Sequence, residues 1–91
     1  MTESPAVRRK RLLLRSRYRG FLENDLLLGG FAERHLARFD EVQLDRYEAL
    51  LEESDHDIFA WASGQRPVPA RHDNDVMALL RATDILPIAA R

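Results

Sequence analysis

Ninety-one residues without a cysteine, 45% hydrophobic and 32% charged, describe one globular domain with a modest core and no room for a separate catalytic domain, and they exclude disulfide and thiolate chemistry. Four glycines and four prolines leave long uninterrupted stretches, which favours an all-α chain. The net charge of −1 hides a polarity, because residues 1–20 carry Arg8, Arg9, Lys10, Arg11, Arg15, Arg17 and Arg19 against Glu3 alone, a net +6, while the other 71 carry a net −7. Acidic or phosphate-bearing partners are therefore the ones to consider first.

Ser4 followed by Pro5 is a helix start, a capping hydroxyl and then proline at the first helical position. The first helix is expected over 5–18 and broken by Gly20. A second helix follows over 22–38, with Leu28, Ala32, Leu36 and Phe39 at one-face spacing and Leu22 and Leu26 extending an adjacent stripe; this face is expected to be core. Gly29-Gly30 weakens that helix, so either a neighbouring helix packs close there or the helix kinks. Asp40 and Gln43 form a capping-box start for a third helix over 41–53 whose stripe is Leu44, Tyr47, Leu50 and Leu51.

Ser54 or Asp55 can cap a short fourth helix, 55–63, carrying Ile58, Phe59 and Trp61 and ended by Gly64 in the place of a left-handed C-cap. Its acidic approach, 52–57, is explained by helix termination and capping. Pro67 and Pro69 enforce an extended connector. Asp73 or Asn74 caps a fifth helix, 73–83, with Val76, Leu79, Leu80 and Thr83 on one face, and Pro87 makes 84–91 a frayed tail. The expected architecture is a compact five-helix bundle with short connections.

No apolar run is long enough to cross a membrane, and Leu12 to Leu14 sit between arginines, so neither a secretory signal nor membrane insertion is expected. The Arg-rich start mimics a mitochondrial presequence but leads straight into the next motif, and it reads as part of the folded domain. The chain begins with methionine and no obvious presequence. This predicts a bacterial cytoplasmic protein, or a mitochondrial matrix protein if the source is eukaryotic.

Catalytic chemistry finds no foothold. His35, His56 and His72 are far apart without metal-ligand spacing, and Ser4, Ser16, Ser54 and Ser63 lie in no nucleophile elbow or phosphate loop. The expectation is a protein that is not an enzyme. The basic first helix could neutralise several phosphates, yet apart from Tyr18 no aromatic platform is interleaved with it. A small helical nucleic-acid-binding or toxin-neutralising regulator is the alternative this leaves open. Trp61 reads as core.

The feature left over is Arg19-Gly20-Phe21-Leu22-Glu23-Asn24-Asp25 at the first helix junction. Arg19 and Glu23 could simply pair at i, i+4. Arg before Glu is the weaker order for such a pair, however, and it gives no reason for the intervening glycine, which lets another backbone approach closely.

The string resembles the R-G-x-x-E-x-D signature of the SdhE-type succinate dehydrogenase assembly (flavinylation) factors, and the likeness continues in order. Residues 19–36 (RGFLENDLLLGGFAERHL) are similar to the signature and second helix, Leu50-Leu51-Glu52 with Asp57-Ile58-Phe59-Ala60-Trp61 to a later block, and 75–81 to the last helix. The resemblance implies a five-helix bundle that binds the flavoprotein subunit of succinate dehydrogenase, and in many bacteria that of fumarate reductase, and promotes covalent attachment of FAD to a partner histidine. It further implies that Arg19, Gly20 and Glu23 face the partner near its flavin and that Asp25 fills the trailing acidic position. Tyr18, where the family often has a basic residue, and Phe21 complete the expected partner-binding set. No FAD is expected to stay bound to the chain itself, for which no dinucleotide fold has room, and the free protein is expected to be a monomer.

Overall fold

The computed structural model describes residues 3–83. Five α-helices follow one another as α1 (Pro5–Arg15), α2 (Leu22–His35), α3 (Glu41–Leu51), α4 (Asp55–Ala62) and α5 (Asp75–Ala82), and no strand occurs among the described residues. This is the expected all-α architecture. The local start signals act as read: Ser4 Oγ accepts from the Val7 N–H at 3.2 Å, and the Asp40–Gln43 capping box closes in both directions at 2.9 and 3.1 Å. Ser54 caps α4 through the Asp57 N–H at 3.1 Å, and Asn74 caps α5 through that of Met77, also at 3.1 Å. Each such cap contributes about 1 kcal/mol.

Gly64 ends α4 at φ 81°. The Gln65 N–H bonds the Ala60 carbonyl at 2.9 Å and the Gly64 N–H that of Trp61 at 3.3 Å, the Schellman pattern in which a left-handed glycine satisfies carbonyls left over at a helix end.

Helix α1 packs on α2 and α3, and α5 closes the bundle against α3 and α4. The core is one cluster: Leu12; Leu27, Leu28, Phe31 and Ala32; Leu36 and Phe39; Leu44, Tyr47, Leu50 and Leu51; Ile58 and Trp61; Val76, Met77 and Leu80. Fully burying a side chain of this kind contributes about 1.5–3 kcal/mol. Phe31, Phe39 and Tyr47 interlock at ring-centroid distances of 5.4 to 6.3 Å, and His35 lies against Phe31 at 4.7 Å.

Several boundaries differ from expectation, for identifiable reasons. Helix α1 stops at Arg15 rather than Tyr18, because the chain turns inward at Ser16. That hydroxyl is fully buried, donates to the Leu12 carbonyl at 2.7 Å and meets the Tyr47 hydroxyl at 2.5 Å. Tyr18 then takes a left-handed φ of 57°. Helix α2 gives way after His35 to a 3-10 turn, Leu36–Arg38, and a second such turn, Ala70–His72, interrupts the connector expected to be extended. Helix α3 ends two residues before Glu53, and α5 starts at Asp75. The expected tail, 84–91, lies outside the described residues.

Gly29 lies against the turn after α1 rather than against a neighbouring helix: a Cβ there would lie 3.6 Å from Arg17 Cγ and 3.9 Å from the Ser16 carbonyl oxygen, ordinary contact distances that do not demand a glycine. The expected core membership of Leu22 and Leu26 is overturned, since they are 65% and 42% exposed. Leu27 and Phe31 turn inward in their place.

Candidate functional site

The junction between α1 and α2 gathers the motif residues around one carboxylate from α4. Asp55 is the first residue of α4, pointed back across the bundle by the Ser54 cap that starts the helix. Its Oδ1 accepts from Arg19 Nε at 2.6 Å and from Asn24 Nδ2 at 2.9 Å, and its Oδ2 accepts from the Gly20 N–H at 2.7 Å. Burial pushes the Asp55 carboxyl up; the Arg19 guanidinium, the Gly20 N–H and the Asn24 amide outweigh it and hold the group below the usual carboxylate range.

Arg19 is the hub of this arrangement. Besides Asp55 it donates to the Arg15 carbonyl at 3.0 Å and to that of Leu51 at 3.3 Å, the last residues of α1 and α3. One guanidinium thus satisfies carbonyls at two helix C-termini, where a positive charge is also favoured by the dipoles, and pairs with a carboxylate at a helix N-terminus. Its side chain is only 12% exposed. The guanidinium expected to face a partner is thus turned onto a carboxylate and carbonyls of the chain itself.

The other motif residues divide into two groups. Asp25 is turned inward, its carboxylate accepting from the Arg19 N–H, so it braces the turn before α2, whose N-cap residue Phe21 supplies no side-chain hydrogen bond. The Phe21 ring stacks on His56 at 5.0 Å and meets Phe59 edge-on at 5.4 Å, pinning the loop to α4. Asn24 is fully buried, and its carbonyl oxygen has no hydrogen-bond donor among the described residues.

Outward stand Tyr18, 88% exposed, with exposed Gly20, Leu22 and Leu26. Leu22 and Leu26 are one turn apart on α2 and share the side that Gly29 presents to Ser16 and Arg17. Glu23, half-buried in the first turn of α2, has no hydrogen-bond partner among the described residues. The Arg19–Glu23 pair that i, i+4 spacing allowed does not form. The junction therefore presents aromatic and aliphatic side chains around a bare stretch of backbone, with a carboxylate beside them and the cation beneath.

The basic face of α1 is engaged by the chain's own acids. Arg8 pairs with Asp45 and Glu48 at 2.7 and 2.9 Å, and Arg11 with Glu3 and Glu48, both at 2.9 Å. Arg15 meets Glu52 at 2.9 Å and Arg17 meets Glu33 at 2.5 Å, while Arg9 donates to the Leu36 and Phe39 carbonyls. Hydrogen bonding from Arg11 and then Arg8 holds the Glu48 carboxyl low against its partial burial. The charge polarity seen along the sequence is largely cancelled in space.

Sequence reasoning missed Asp55, which it placed in a capping run, and His72. The buried His72 Nε2 lies 2.7 Å from Glu53 Oε2, with its ring 5.5 Å from that of Trp61. Both contacts span many residues and leave no local signature. Trp61 is buried, as read. Among the described residues no cluster of His, Asp or Glu could hold a metal ion, and no helix is long and apolar enough to cross a membrane.

The arrangement can be set against known proteins. A family model described as "Flavinator of succinate dehydrogenase" matches residues 10–84. A relative from Aedes aegypti named succinate dehydrogenase assembly factor 2, mitochondrial, is 48% identical over 77 residues, which are 82% of this chain and 48% of the relative. One of the same name from Drosophila grimshawi is 44% identical over 81 residues, 87% of this chain and 55% of the relative. The chain spans about half the length of the curated relatives it matches. Because the matched span runs from within α1 past the end of α5 and takes in the junction with Arg19, Gly20 and Asp55, the chain belongs to the family of flavinators of succinate dehydrogenase.

Proposed function

We propose that this chain is an assembly factor that docks on the flavoprotein subunit of succinate dehydrogenase and promotes covalent attachment of FAD to it. The flavoprotein subunit of fumarate reductase, where it is present, is a second client. The docking surface is the α1–α2 junction: Tyr18, Gly20 and Glu23 face the partner, with Leu22 and Leu26 widening the contact, and Arg19, Phe21 and Asp25 hold the loop that presents them. The observation that carries this reading is the outward set of exposed apolar side chains around the backbone of Gly20, on a chain of this family. Exposed apolar side chains clustered beside open backbone are a natural protein-binding surface.

The role fits a binder and needs no catalytic residue. An assembly factor that prefers one conformer of the partner raises the population in which flavin and acceptor histidine are aligned, and the partner performs the chemistry. FAD remains with the partner. Titration of the purified chain against the isolated flavoprotein subunit tests this. Saturable binding that Leu22→Glu abolishes while the helical signal is kept is the expected result; no binding by the wild type overturns it.

A further inference from the structure

We propose that Asp55 is a positioning residue of the docking surface, holding Gly20 and Arg19 so that residues 18–23 are presented in one conformation. This rests on the docking reading above.

Three observations converge on it. First, the carboxylate makes three hydrogen bonds, all to residues 19–24, at 2.6, 2.7 and 2.9 Å. A helix-starting aspartate needs none of them, because Ser54 already caps α4 and Asp57 supplies a further charge in its first turn. Secondly, the bond to the Gly20 N–H fixes backbone rather than side chain. Together with the Asp25 carboxylate on the Arg19 N–H, it gives two consecutive peptide N–H groups a charged acceptor, which turns a glycine-containing loop between helices into a defined surface. Tyr18 and Leu22 flank that pair of N–H groups, so their directions depend on it.

Thirdly, a fully buried polar side chain is committed to the same carboxylate: Asn24 is 0% exposed and its amide donates to Asp55 at 2.9 Å, so the start of α2 is tied to the start of α4 by a directional contact. Binding then gains because the loop is already ordered when the partner arrives, and the entropy of ordering it is not charged to the complex.

The test compares full-length wild type, Asp55→Asn, Arg19→Ala and the double variant, first by amide-resolved NMR and then by titration with the isolated flavoprotein subunit. In Asp55→Asn the Gly20 amide resonance is expected to move towards the unbonded range and the 18–23 backbone to become mobile, with the amides of α3 and α5 unchanged. Affinity is expected to fall about tenfold, and the double variant to lose less than the two single losses combined but more than Arg19→Ala alone, because the two residues share one contact while Asp55 also holds Gly20 and Asn24. An ordered loop with unchanged affinity in folded Asp55→Asn overturns the proposal, as does a loss spread evenly over all helices. Should Asp55→Asn fail to fold, Asp55→Glu keeps the charge but moves it by one methylene, and the same outcomes decide. Absence of wild-type binding overturns the docking reading itself, whereas wild-type binding that Asp55→Asn leaves intact overturns only the positioning role.

Discussion

Asp55 Oδ2 lies 2.7 Å from the Gly20 nitrogen, and a Cβ built on Gly20 would lie 2.7 Å from the same oxygen. A side chain at this position must therefore shift the end of the Asp55 carboxylate that the backbone N–H bonds. Gly20→Ala is expected to lower stability by about 1–3 kcal/mol through the loss of charge-assisted hydrogen bonds, measured by denaturant unfolding. Gly20→Arg is expected to cost more. A Gly20→Ala variant as stable as wild type would show that Asp55 yields without consequence.

The acid side of the stability profile follows from Asp55 and His35. Asp55 is held below its ordinary value, so its contribution is complete above that value and is lost as pH falls through the folded one. The stability difference between wild type and Asp55→Asn should therefore shrink as the solution is taken below about pH 4, near the ordinary carboxylate range. His35 is pushed down, first by burial and then by Arg38 and Arg34. The unfolded chain takes up that proton earlier, so stability declines as pH falls below the ordinary histidine value of about 6.5. His35→Gln should flatten the profile between pH 7 and 6, and an unchanged slope would contradict the burial of this ring.

Tyr47 gives the corresponding prediction at high pH. Burial raises its phenol above the ordinary value, an effect that the Ser16 hydroxyl and Arg19 only partly offset. Its contribution is complete below the unfolded value of about 10 and declines as pH rises above it, because only the unfolded chain ionises readily. Tyr47→Phe leaves Ser16 its bond to Leu12, so it should cost about 1 kcal/mol at neutral pH and less in alkali. Chemical denaturation at pH 7 and pH 11 measures both.

What could be read from the sequence, and what could not, divides by distance along the chain. Caps at Ser4, Asp40–Gln43 and Ser54, and the Gly64 terminator, act over three to five residues and stand as read. The α3 stripe was equally legible, because Leu44, Tyr47, Leu50 and Leu51 leave one choice of inward face. In α2 two leucine-rich stripes compete, and periodicity does not say which one meets α1; Leu27 and Phe31 win, and Leu22 and Leu26 are left outside. The Asp55 contacts with Arg19, Gly20 and Asn24 span 31 to 36 residues. A carboxylate in an acidic capping run gives no hint of them, so the residues expected to meet a partner through Arg19 were legible as a motif but not as an internal clamp.

The neutralised face of α1 predicts weak, non-steep nucleic-acid binding. With Arg8, Arg11, Arg15 and Arg17 in ion pairs within the chain, few cations are left to displace counterions. The slope of log K against log salt for duplex DNA should correspond to no more than about two phosphate contacts. A steep slope with tight binding would favour the regulator alternative.

The proposed promotion of covalent flavin attachment by the α1–α2 junction is tested most directly by flavin fluorescence of the succinate dehydrogenase flavoprotein on a denaturing gel, from cells lacking this protein and from the same cells complemented with wild type or with Leu22→Glu. Leu22 is 65% exposed, so its replacement should change stability by no more than about 0.5 kcal/mol. Fluorescence should be lost in the deletion, restored by wild type and not restored by folded Leu22→Glu. Covalent flavin at wild-type levels in the deletion would contradict the assembly role, and full restoration by Leu22→Glu would contradict the assigned surface.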